Sequence, residues 1–463
     1  MRHNVNTSSL LEQIVAAHQR GDLARAELLS RQVIAAEPGN FQAWYMLAGL
    51  AFQQQRGPDA LAAANKALAL NRKSAEAFNL KGAVLRAMDR KDEALESFSA
   101  ALKLQPYNPD LWLNRSSVLG DLGRTQGALA DVDKALKLRP SAQAWNNRGA
   151  ALRALKRHDE ALKSFEKALA MQPGYIQAMR NIAAVKCESF RVEEGMADYA
   201  RQAKLAYGGA ASPEENWELP QKQRHDAEQK AWLADEGILA PYYLDEGARV
   251  PGAAVNPLNA APIAEQWAKN RPQIVVIDNL LTPEALEGLR RFCRRSTVWR
   301  KVYREGYLGA TPEYGFACPL LAQIAEELPA IFPTIFERHP LRYMWGFKYD
   351  SSLSGIDIHA DFAAVNVNFW ITPDEANKDP ESGGLVLWDV AAPKEWDVAK
   401  YNRDVAANRQ FLDSVGAKPI TVPYRANRAV IFDSDLFHKT DRIDFKDGYL
   451  NRRINITMLY GDR

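Results

Sequence analysis

The sequence has few cysteines, no long apolar run and almost no net charge. Its three cysteines, Cys187, Cys293 and Cys318, lack metal-site spacing. An odd and sparse count argues against a disulfide scaffold and favours a reducing compartment. No apolar run approaches the length of a membrane span, and residues 1–9 lack the apolar core of a signal peptide. These absences predict a cytoplasmic protein that does not enter a membrane.

Charge of one sign is also lacking. Lys and Arg number 59 and Asp and Glu number 57, so the net charge is +2. Near-neutral balance gives no electrostatic footprint for nucleic acid or for an anionic membrane surface. With 25 % charged and 47 % apolar residues over 463 positions, the chain is typical of a globular protein with two or three domains.

The N-terminal half contains an internal repeat with a period of about 34 residues. A large apolar residue is followed four positions later by a small one, and alanine and proline keep the same phase. These positions are Trp44, Phe78, Trp112 and Trp145; Ala48, Gly82, Ser116 and Gly149; Ala60, Ala94, Ala128 and Ala161; and Pro38, Pro106, Pro140 and Pro173. The pattern resembles the tetratricopeptide repeat. Weaker units at 7–40 and 176–205 bring the expected number to about six.

The resemblance implies an all-α solenoid over residues 1–205. Each unit cannot bury its apolar face alone, so stacked neighbours supply the core and form a concave surface. That surface is expected to bind a protein or peptide partner. Since a fold does not fix a function, a scaffold for docking or for a homo-oligomer stays an open alternative.

Beyond the repeats the composition changes twice. Residues 206–270 are expected to form a helical and irregular linker, with one helix near 222–235 and a Gly/Pro/Ala-rich stretch at 237–262. That stretch is either a linker or a loop lying across an active site. Residues 271–463 contain many short β-branched or aromatic runs separated by turn signals, which predicts a sandwich or jelly-roll domain with flanking helices. The strand-like runs are 274–278, 343–349, 365–371, 384–388, 420–422, 429–432 and 454–460.

The chemistry-bearing residues lie in this C-terminal domain. His359 and Asp361 form a His-x-Asp tripeptide, and His438 follows 77 residues after Asp361. Two histidines and one carboxylate are the ligand set of the facial triad that holds ferrous iron and leaves positions open for a cosubstrate and oxygen. Arg453 follows His438 by fifteen residues in a strand-like run, and its guanidinium can fork onto a carboxylate. The order predicts an oxygenase that consumes a 2-oxo acid.

From Ile274 to Gly461 the chain resembles the 2-oxoglutarate- and iron(II)-dependent oxygenases of the double-stranded β-helix fold, in particular the prolyl-hydroxylase-like branch. The resemblance implies that His359, Asp361 and His438 bind Fe(II) and that the cosubstrates are 2-oxoglutarate and O2. In that branch a tyrosine ten residues before the first ligand contacts the cosubstrate, and Tyr349 holds this position. A threonine four residues after the carboxylate-binding arginine assists it there, and Thr457 holds this position relative to Arg453.

Strand parity separates Arg453 from its neighbour Arg452. Asn455 and Thr457 share the face of Arg453 and are polar, whereas the residues that share the face of Arg452 are apolar. Strand parity and the resemblance together give Arg453, Thr457, Tyr349 and Asn455 as the predicted cosubstrate contacts. The run Arg-x-Asn-x-Thr also resembles the last strand of AlkB-like nucleic-acid demethylases. Their motif ends in a further arginine, where this chain has Leu459, so no nucleic-acid partner is expected.

Three functions remain open on the sequence. The first is a protein or peptide hydroxylase whose target is recruited by the repeats. The second is a small-molecule oxygenase of the natural-product type, in which the repeats serve only assembly. The third is a non-enzymatic interaction protein. The substrate-facing segments are expected at 237–262, 301–320 and 389–415, and the residues expected to orient the ligands are Asp357, Asn366, Asn368, Asp433 and Asp435.

Overall fold

The computed structural model describes residues 7–208, 219–257, 260–303, 305–353 and 355–463. The chain divides into two compact units, residues 1–178 and 179–463. Part of the expected linker, residues 209–218 and 258–259, lies outside the described residues.

The described part of the first unit consists of antiparallel helix pairs. Its helices are α1 (Thr7–Gln19), α2 (Leu23–Ala36), α3 (Phe41–Gln53), α4 (Gly57–Leu70), α5 (Ala75–Ala87), α6 (Lys91–Leu104), α7 (Pro109–Asp121), α8 (Thr125–Leu138), α9 (Ala142–Ala154) and α10 (His158–Met171). From α3 onward, the first helix of each pair is preceded by a residue whose side-chain oxygen accepts a hydrogen bond from a main-chain N–H of the first turn. These N-cap residues are Asn40, Ser74, Asn108 and Ser141.

The turn inside each pair repeats the same backbone conformation. One residue there has a positive φ angle, at Gly21, Gln55, Asp89, Gly123, Lys156 and Phe190. The spacing is 34 residues except for 33 between Gly123 and Lys156, which matches the 33 residues between Trp112 and Trp145 in the repeat pattern. Small residues lie where the two helices of a pair cross closely: a Cβ on Gly149 would come within 2.5 Å of the Phe165 ring.

The second unit begins within the last helix pair of the repeat pattern, because the boundary after residue 178 lies inside α11 (Ile176–Glu188). Its other helices are α12 (Val192–Tyr207), α13 (Pro220–Asp235), α14 (Ala260–Lys269), α15 (Pro283–Arg295), α16 (Pro319–Ile331), α17 (Pro333–Phe336), α18 (Val398–Arg403) and α19 (Val405–Val415). Met196 and Tyr199 of α12 share an apolar core with Phe292 of α15 and Leu321 of α16. The boundary between compact units therefore precedes residue 205, although the repeat pattern itself runs on through α12.

In the described residues, two antiparallel sheets and one short strand pair complete this unit. The strands are β1 (Ile274–Ile277), β2 (Lys301–Val302), β3 (Leu308–Ala310), β4 (Leu341–Tyr349), β5 (Ser352–Leu353), β6 (Val365–Trp370), β7 (Leu385–Ala391), β8 (Pro419–Val422), β9 (Ala429–Asp433), β10 (Leu436–Thr440), β11 (Ile443–Asp444) and β12 (Arg453–Tyr460). The large sheet has the order β1-β9-β6-β12-β4-β3-β2, the small sheet β10-β7-β8, and β11 pairs with β5.

The large sheet is buried on both faces, which explains why β12 is buried along its whole length. On one face, Ile456 and Met458 of β12 pack with α15 and α16. On the other face, Phe347 of β4 and Phe432 of β9 share a core with Leu387 of the small sheet. The alternate residues of β4 and β12 that face the small sheet form the floor of the candidate site.

The stretch 237–262, left open as a linker or an active-site loop, packs on α16 in its described part. The Val250 N–H donates to Gln323 Oε1 at 3.0 Å, and the Ala254 N–H donates to Glu327 Oε2 at 2.8 Å. Glu327 and Gln323 thus satisfy main-chain groups of this otherwise irregular segment. The stretch is ordered against a helix of the large sheet's outer layer.

Candidate metal centre and cosubstrate cavity

The structure brings together the three predicted ligands. His359 and Asp361 lie between β5 and β6, and His438 lies on β10. The two histidines exchange main-chain hydrogen bonds, from His359 N to His438 O at 3.0 Å and from His438 N to His359 O at 2.8 Å. One ligand atom from each of the three residues lies within 4.8 Å of the others. A divalent cation bound by two imidazoles and one carboxylate requires such a grouping.

The tautomer of each histidine follows from its main-chain contact. His359 Nδ1 lies 2.8 Å from the Asp357 carbonyl oxygen, and His438 Nδ1 lies 3.1 Å from the Leu436 carbonyl oxygen. A carbonyl oxygen only accepts, so each Nδ1 carries the proton and each Nε2 presents a lone pair. Those Nε2 atoms lie 3.9 Å and 3.5 Å from the carboxylate oxygens of Asp361.

Electrostatics keep the site in the protonation state that a metal needs. Burial, together with the nearby His438, lowers the pKa of His359 to about 4. Burial acts to raise the pKa of Asp361, but His438, His359 and Asn366 outweigh it and hold that pKa below its usual value. At neutral pH His359 is therefore neutral and Asp361 is ionised, as metal ligands must be.

Side chains from three elements orient the Asp361 segment. Asn366 of β6 donates from Nδ2 to Asp361 Oδ2 at 2.7 Å. Asn402 of α18 donates to the Ala360 carbonyl oxygen at 2.8 Å, and the buried Asn408 of α19 donates to the Ile358 carbonyl oxygen at 3.0 Å.

Of the residues expected to orient the ligands, Asn366 acts on Asp361 directly and Asp357 acts on His359 through its carbonyl oxygen. Asn368 donates instead to Thr457 at 2.9 Å. Asp435 forms ion pairs with Lys394 and Arg463, and Asp433 accepts the Asp435 N–H.

Sequence reasoning missed Asn402 and Asn408 because it treats 389–415 as a loop, whereas the segment contains α18 and α19. The signal was present: Asp397 and Asp404 each accept a hydrogen bond from the first turn of the helix that follows, which is the ordinary behaviour of an aspartate N-cap.

An inner cavity leads from the three candidate ligands to Arg453. Its lining includes the other predicted cosubstrate residues, Tyr349, Thr457 and Asn455. The guanidinium of Arg453 lies 4.9 Å from the centre of the Tyr349 ring, and the Tyr349 hydroxyl lies 3.4 Å from Thr440 Oγ1. All four predicted cosubstrate residues thus share one cavity with the candidate metal ligands.

Arg453 is 1 % exposed, and burial lowers its pKa from the ordinary value. It donates to the carbonyl oxygens of Gly383 and Gly384 at 2.6 and 3.3 Å and to Asn455 Oδ1 at 3.1 Å. Gly384 has no room for a side chain, because a Cβ there would lie 1.9 Å from the Val422 carbonyl oxygen. Within the described residues, Arg453 makes no ion pair with a carboxylate. An anion entering the cavity would supply the counter-charge that a buried guanidinium otherwise lacks.

Arg452 has the opposite environment. It forms ion pairs with Glu228 at 3.0 Å and Asp350 at 3.2 Å. The neighbouring arginines therefore face different sides of the large sheet, and Arg453 is the one that lines the cavity.

An outer cavity of about 490 Å³ opens beside the inner one and shares Trp345, Phe347, His359 and Asp361 with it. Residues of β2, the β2–β3 turn, the segment before His359 and α18 also line it. Two of the expected substrate-facing segments, 301–320 and 389–415, thus contribute residues to this cavity.

Comparison with protein families concerns the helical part of the chain. Family models described as tetratricopeptide repeat match residues 17–84, 75–108, 109–141 and 142–175. Residues 17–175 are tetratricopeptide repeats. Arrays of these repeats form extended concave binding surfaces, so the tetratricopeptide repeats of this chain indicate a role in protein–protein interaction or scaffolding.

Solved structures resemble a part of the chain. MamA is 24 % identical, with 36 % of this chain and 92 % of MamA covered at a TM-score of 0.34. YrrB, described as a tetratricopeptide-repeat protein with an unusual peptide-binding site, is 24 % identical, with 38 % and 91 % covered at a TM-score of 0.33. A thermophilic tetratricopeptide-repeat protein from Thermus thermophilus is 21 % identical, with 39 % and 98 % covered at a TM-score of 0.34. At these scores we draw no functional conclusion from them. Comparison with curated proteins gave no match.

Among the described residues, no helix combines the length and the apolar character needed to cross a lipid bilayer.

Proposed function

We propose that residues 271–463 form a 2-oxoglutarate- and Fe(II)-dependent dioxygenase domain that hydroxylates a C–H bond. The observation that carries the proposal is the buried guanidinium of Arg453. It has no carboxylate ion pair within the described residues and lies in the same cavity as His359, Asp361 and His438. A structural arginine buried this deeply normally has an acidic partner, whereas a cosubstrate-binding arginine receives its partner from the ligand.

The large and small antiparallel sheets support a double-stranded β-helix as the scaffold. His438 on the small sheet and Arg453 on the large sheet face one interior space. That arrangement is what the fold requires, since opposite sheets must supply metal ligands and the carboxylate clamp to one point.

The reaction combines one C–H substrate, 2-oxoglutarate and O2 to give the C–OH product, succinate and CO2. Bound Fe(II) would supply the oxygen-activating redox chemistry, with one oxygen atom ending in the hydroxyl group and the other in succinate. In this chain, His359, Asp361 and His438 would hold the metal. Arg453 would fork onto the distal carboxylate of 2-oxoglutarate, with Asn455 fixing the guanidinium.

The remaining cavity residues position the cosubstrate and exclude water. Tyr349 is fully buried and packs its ring against the guanidinium of Arg453. Thr457 accepts hydrogen bonds from Asn368 and Asn455 at 2.9 and 3.4 Å, so its own hydroxyl hydrogen is available to a cosubstrate oxygen. Phe347 and Leu385 supply apolar walls, and a water-poor cavity strengthens the ionic contact to Arg453.

The substrate is proposed to be a protein or peptide that the tetratricopeptide repeats recruit. The enzyme is proposed to act in the cytoplasm. A small-molecule substrate is the second candidate, with the repeats used for assembly or for a homo-oligomer. The volume of the outer cavity, about 490 Å³, lies within the range of small-ligand pockets. It therefore supports a small-molecule substrate as well as a peptide substrate.

The test measures binding before turnover. Calorimetry with Mn(II) as a stand-in for Fe(II), followed by 2-oxoglutarate, should show 2-oxoglutarate binding that depends on the metal. His359→Ala should abolish it, and His18→Ala, which changes an exposed histidine of α1, should not. Incubation with Fe(II), 2-oxoglutarate and a cell lysate should then add one oxygen atom to a polypeptide, as read by mass spectrometry. Absence of metal-dependent 2-oxoglutarate binding in the wild-type protein would refute the proposal.

A further inference from the structure

We propose that the outer cavity takes an uncharged aromatic ring, and that this ring belongs to the substrate. The hydroxylation of a molecule bearing the ring rests on the proposed function, whereas the binding of the ring follows from the cavity alone. The ring could belong to an aromatic side chain of a peptide or to a small aromatic molecule, and the two sources share the same recognition chemistry.

Five aromatic residues line one side of the outer cavity, and strand parity places three of them there. Tyr343, Trp345 and Phe347 are alternate residues of β4 and therefore face the same side of the large sheet. Tyr303 and Tyr307 flank the β2–β3 turn and cover the same side. We call these five residues the aromatic wall, and all five line the outer cavity.

The rings of the wall already contact one another in favourable geometries. Tyr303 stacks on Tyr307 with ring centres 4.3 Å apart, and Phe347 meets both edge-on at 5.7 and 5.2 Å. Trp345 lies 5.9 Å from Phe347 and 5.8 Å from Tyr343. Aromatic rings prefer such offset or edge-to-face neighbours at these separations. A further ring in the cavity extends an existing network, with Tyr343 and Trp345 still partly exposed.

The charged side chains of the outer cavity lie at its rim or in the candidate metal centre. The charged residues that line the outer cavity are Lys301, Glu305, Asp357 and Asp361. The first three are exposed at the rim, and Asp357 lies 3.5 Å from Arg409. Asp361 is buried but belongs to the candidate metal centre. Among the described lining residues, no buried charge remains to pair with a charged substrate group, and burying an unpaired charge is costly.

The indole N–H of Trp345 has an unused hydrogen-bonding capacity. It is buried and has no hydrogen-bond partner among the described residues, and Trp345 lines both the inner and the outer cavity. A buried donor without a partner carries a free-energy cost that a ligand acceptor removes. The substrate is therefore expected to carry a carbonyl or amide oxygen close to its ring, as an amino acid in a peptide does.

The experiment measures direct binding by ligand-observed NMR and titration on the full-length protein, without added metal. The probes are N-acetylated, amidated pentapeptides with glycine at four positions and Phe, cyclohexylalanine, Lys or Glu at the centre. A second set comprises 3-phenylpropanamide and 3-cyclohexylpropanamide. We expect the Phe peptide to bind about tenfold tighter than the Lys and Glu peptides and about 2- to 10-fold tighter than the cyclohexylalanine peptide.

Two variants connect the binding to the cavity. Trp345→Ala should reduce affinity for the Phe peptide by about tenfold, and Trp345→Phe, which retains a ring but removes the N–H, should give a smaller loss. The control is Tyr107→Ala, which removes an aromatic side chain that is 83 % exposed in the first unit. Circular dichroism and thermal melting of each variant verify that the fold is retained.

The outcomes separate the source of the ring. Tighter binding of the Phe peptide than of 3-phenylpropanamide indicates a peptide substrate, and equal or weaker binding indicates a small aromatic molecule. Preference for the Lys or Glu peptide, equal binding of the cyclohexyl and aromatic members of each pair, or affinity unaffected by Trp345→Ala would overturn the inference. None of these readouts requires Fe(II) or 2-oxoglutarate, so failure of the oxygenase proposal in the Mn(II) experiment is a distinguishable result.

Discussion

Asn366 donates a 2.7 Å hydrogen bond to Asp361, and both side chains are buried. The bond fixes one carboxylate oxygen of Asp361, and Nε2 of His438 lies 3.5 Å from that same oxygen. Asn366 therefore determines how the carboxylate is presented to a bound cation.

Replacing Asn366 tests this relationship. Asn366→Ala is expected to weaken Mn(II) binding by about 10- to 100-fold, the usual effect of removing a hydrogen bond that orients a metal ligand. Calorimetric titration gives the affinity. Asn368→Ala is the matched control, since Asn368 lies two residues later on β6 but donates to Thr457, and its Mn(II) affinity should stay close to that of the wild type. Equal losses in the two variants would show that a general weakening of β6 is responsible.

Substitution of Arg453 should affect 2-oxoglutarate binding, whereas substitution of the adjacent Arg452 should affect the stability of the fold. Arg453→Met is expected to lower 2-oxoglutarate affinity by about 100-fold or more, because two charge-assisted hydrogen bonds are lost. Arg452→Met should retain that affinity but lower the free energy of unfolding by about 1–2 kcal/mol. Glu228 and Asp350 each lose an ion pair and are themselves partly exposed, and Asp350 keeps its ion pair with Arg224. Calorimetry and urea denaturation provide the two measurements. A 2-oxoglutarate defect confined to Arg452→Met would reverse the assignment.

The pH dependence of stability should report His225. This histidine is fully buried beside Lys348, with 3.2 Å between its Nε2 and the Lys348 Nζ, and burial lowers its pKa to about 3. The unfolded chain therefore binds a proton near pH 6.5 that the folded chain does not bind until about pH 3. Stability is complete above pH 6.5 and falls as the pH drops through this window, by up to about 1.4 kcal/mol per pH unit.

Urea denaturation of the metal-free protein between pH 7 and pH 5 gives the slope. His359 contributes in the same direction, because its pKa is also lowered, to about 4. His225→Asn should reduce the slope by about one proton's contribution and leave the part due to His359. An unchanged slope in His225→Asn would mean that His225 is already protonated in the folded protein.

Truncation should distinguish the end of the repeat pattern from the boundary between compact units. Removal of residues 1–175 retains α11 and α12 and should leave a cooperatively folding fragment. Removal of residues 1–205 deletes almost all of α12, including Met196 and Tyr199 of the second unit's core, and exposes their apolar partners to water. Thermal unfolding and gel filtration compare the fragments. Equal melting temperatures would show that α12 adds nothing to the stability of the second unit.

The features that the sequence predicted well are those with local periodicity. The repeat phase predicted the helix pairs, and the runs of β-branched or aromatic residues between turn signals located β4, β6, β9 and β12. Strand parity also predicted which arginine lines the cavity. By contrast, β10 was not predicted, although His438 lies on it, because Leu436–Thr440 is too short and mixed to show alternation.

The parts that escaped prediction depend on distant pairing. The bond from Arg453 to Gly383 joins residues 70 positions apart, and the aromatic wall joins β4 to the β2–β3 turn. Local pattern carries no information on which turn covers which strand. The packing of α11 and α12 within the second unit likewise arises from tertiary burial, since their sequence keeps the phase of the other repeats.

The main-chain partners of the two candidate histidine ligands give the site an uneven sensitivity to mutation. Both Nδ1 atoms bond to carbonyl oxygens, those of Asp357 and Leu436, which every amino acid possesses. Side-chain changes at 357 and 436 therefore leave the acceptors in place. The carboxylate instead depends on a side-chain amide, that of Asn366. In a saturation-mutagenesis map, the exposed position 357 should tolerate many residues, while position 366 should tolerate very few.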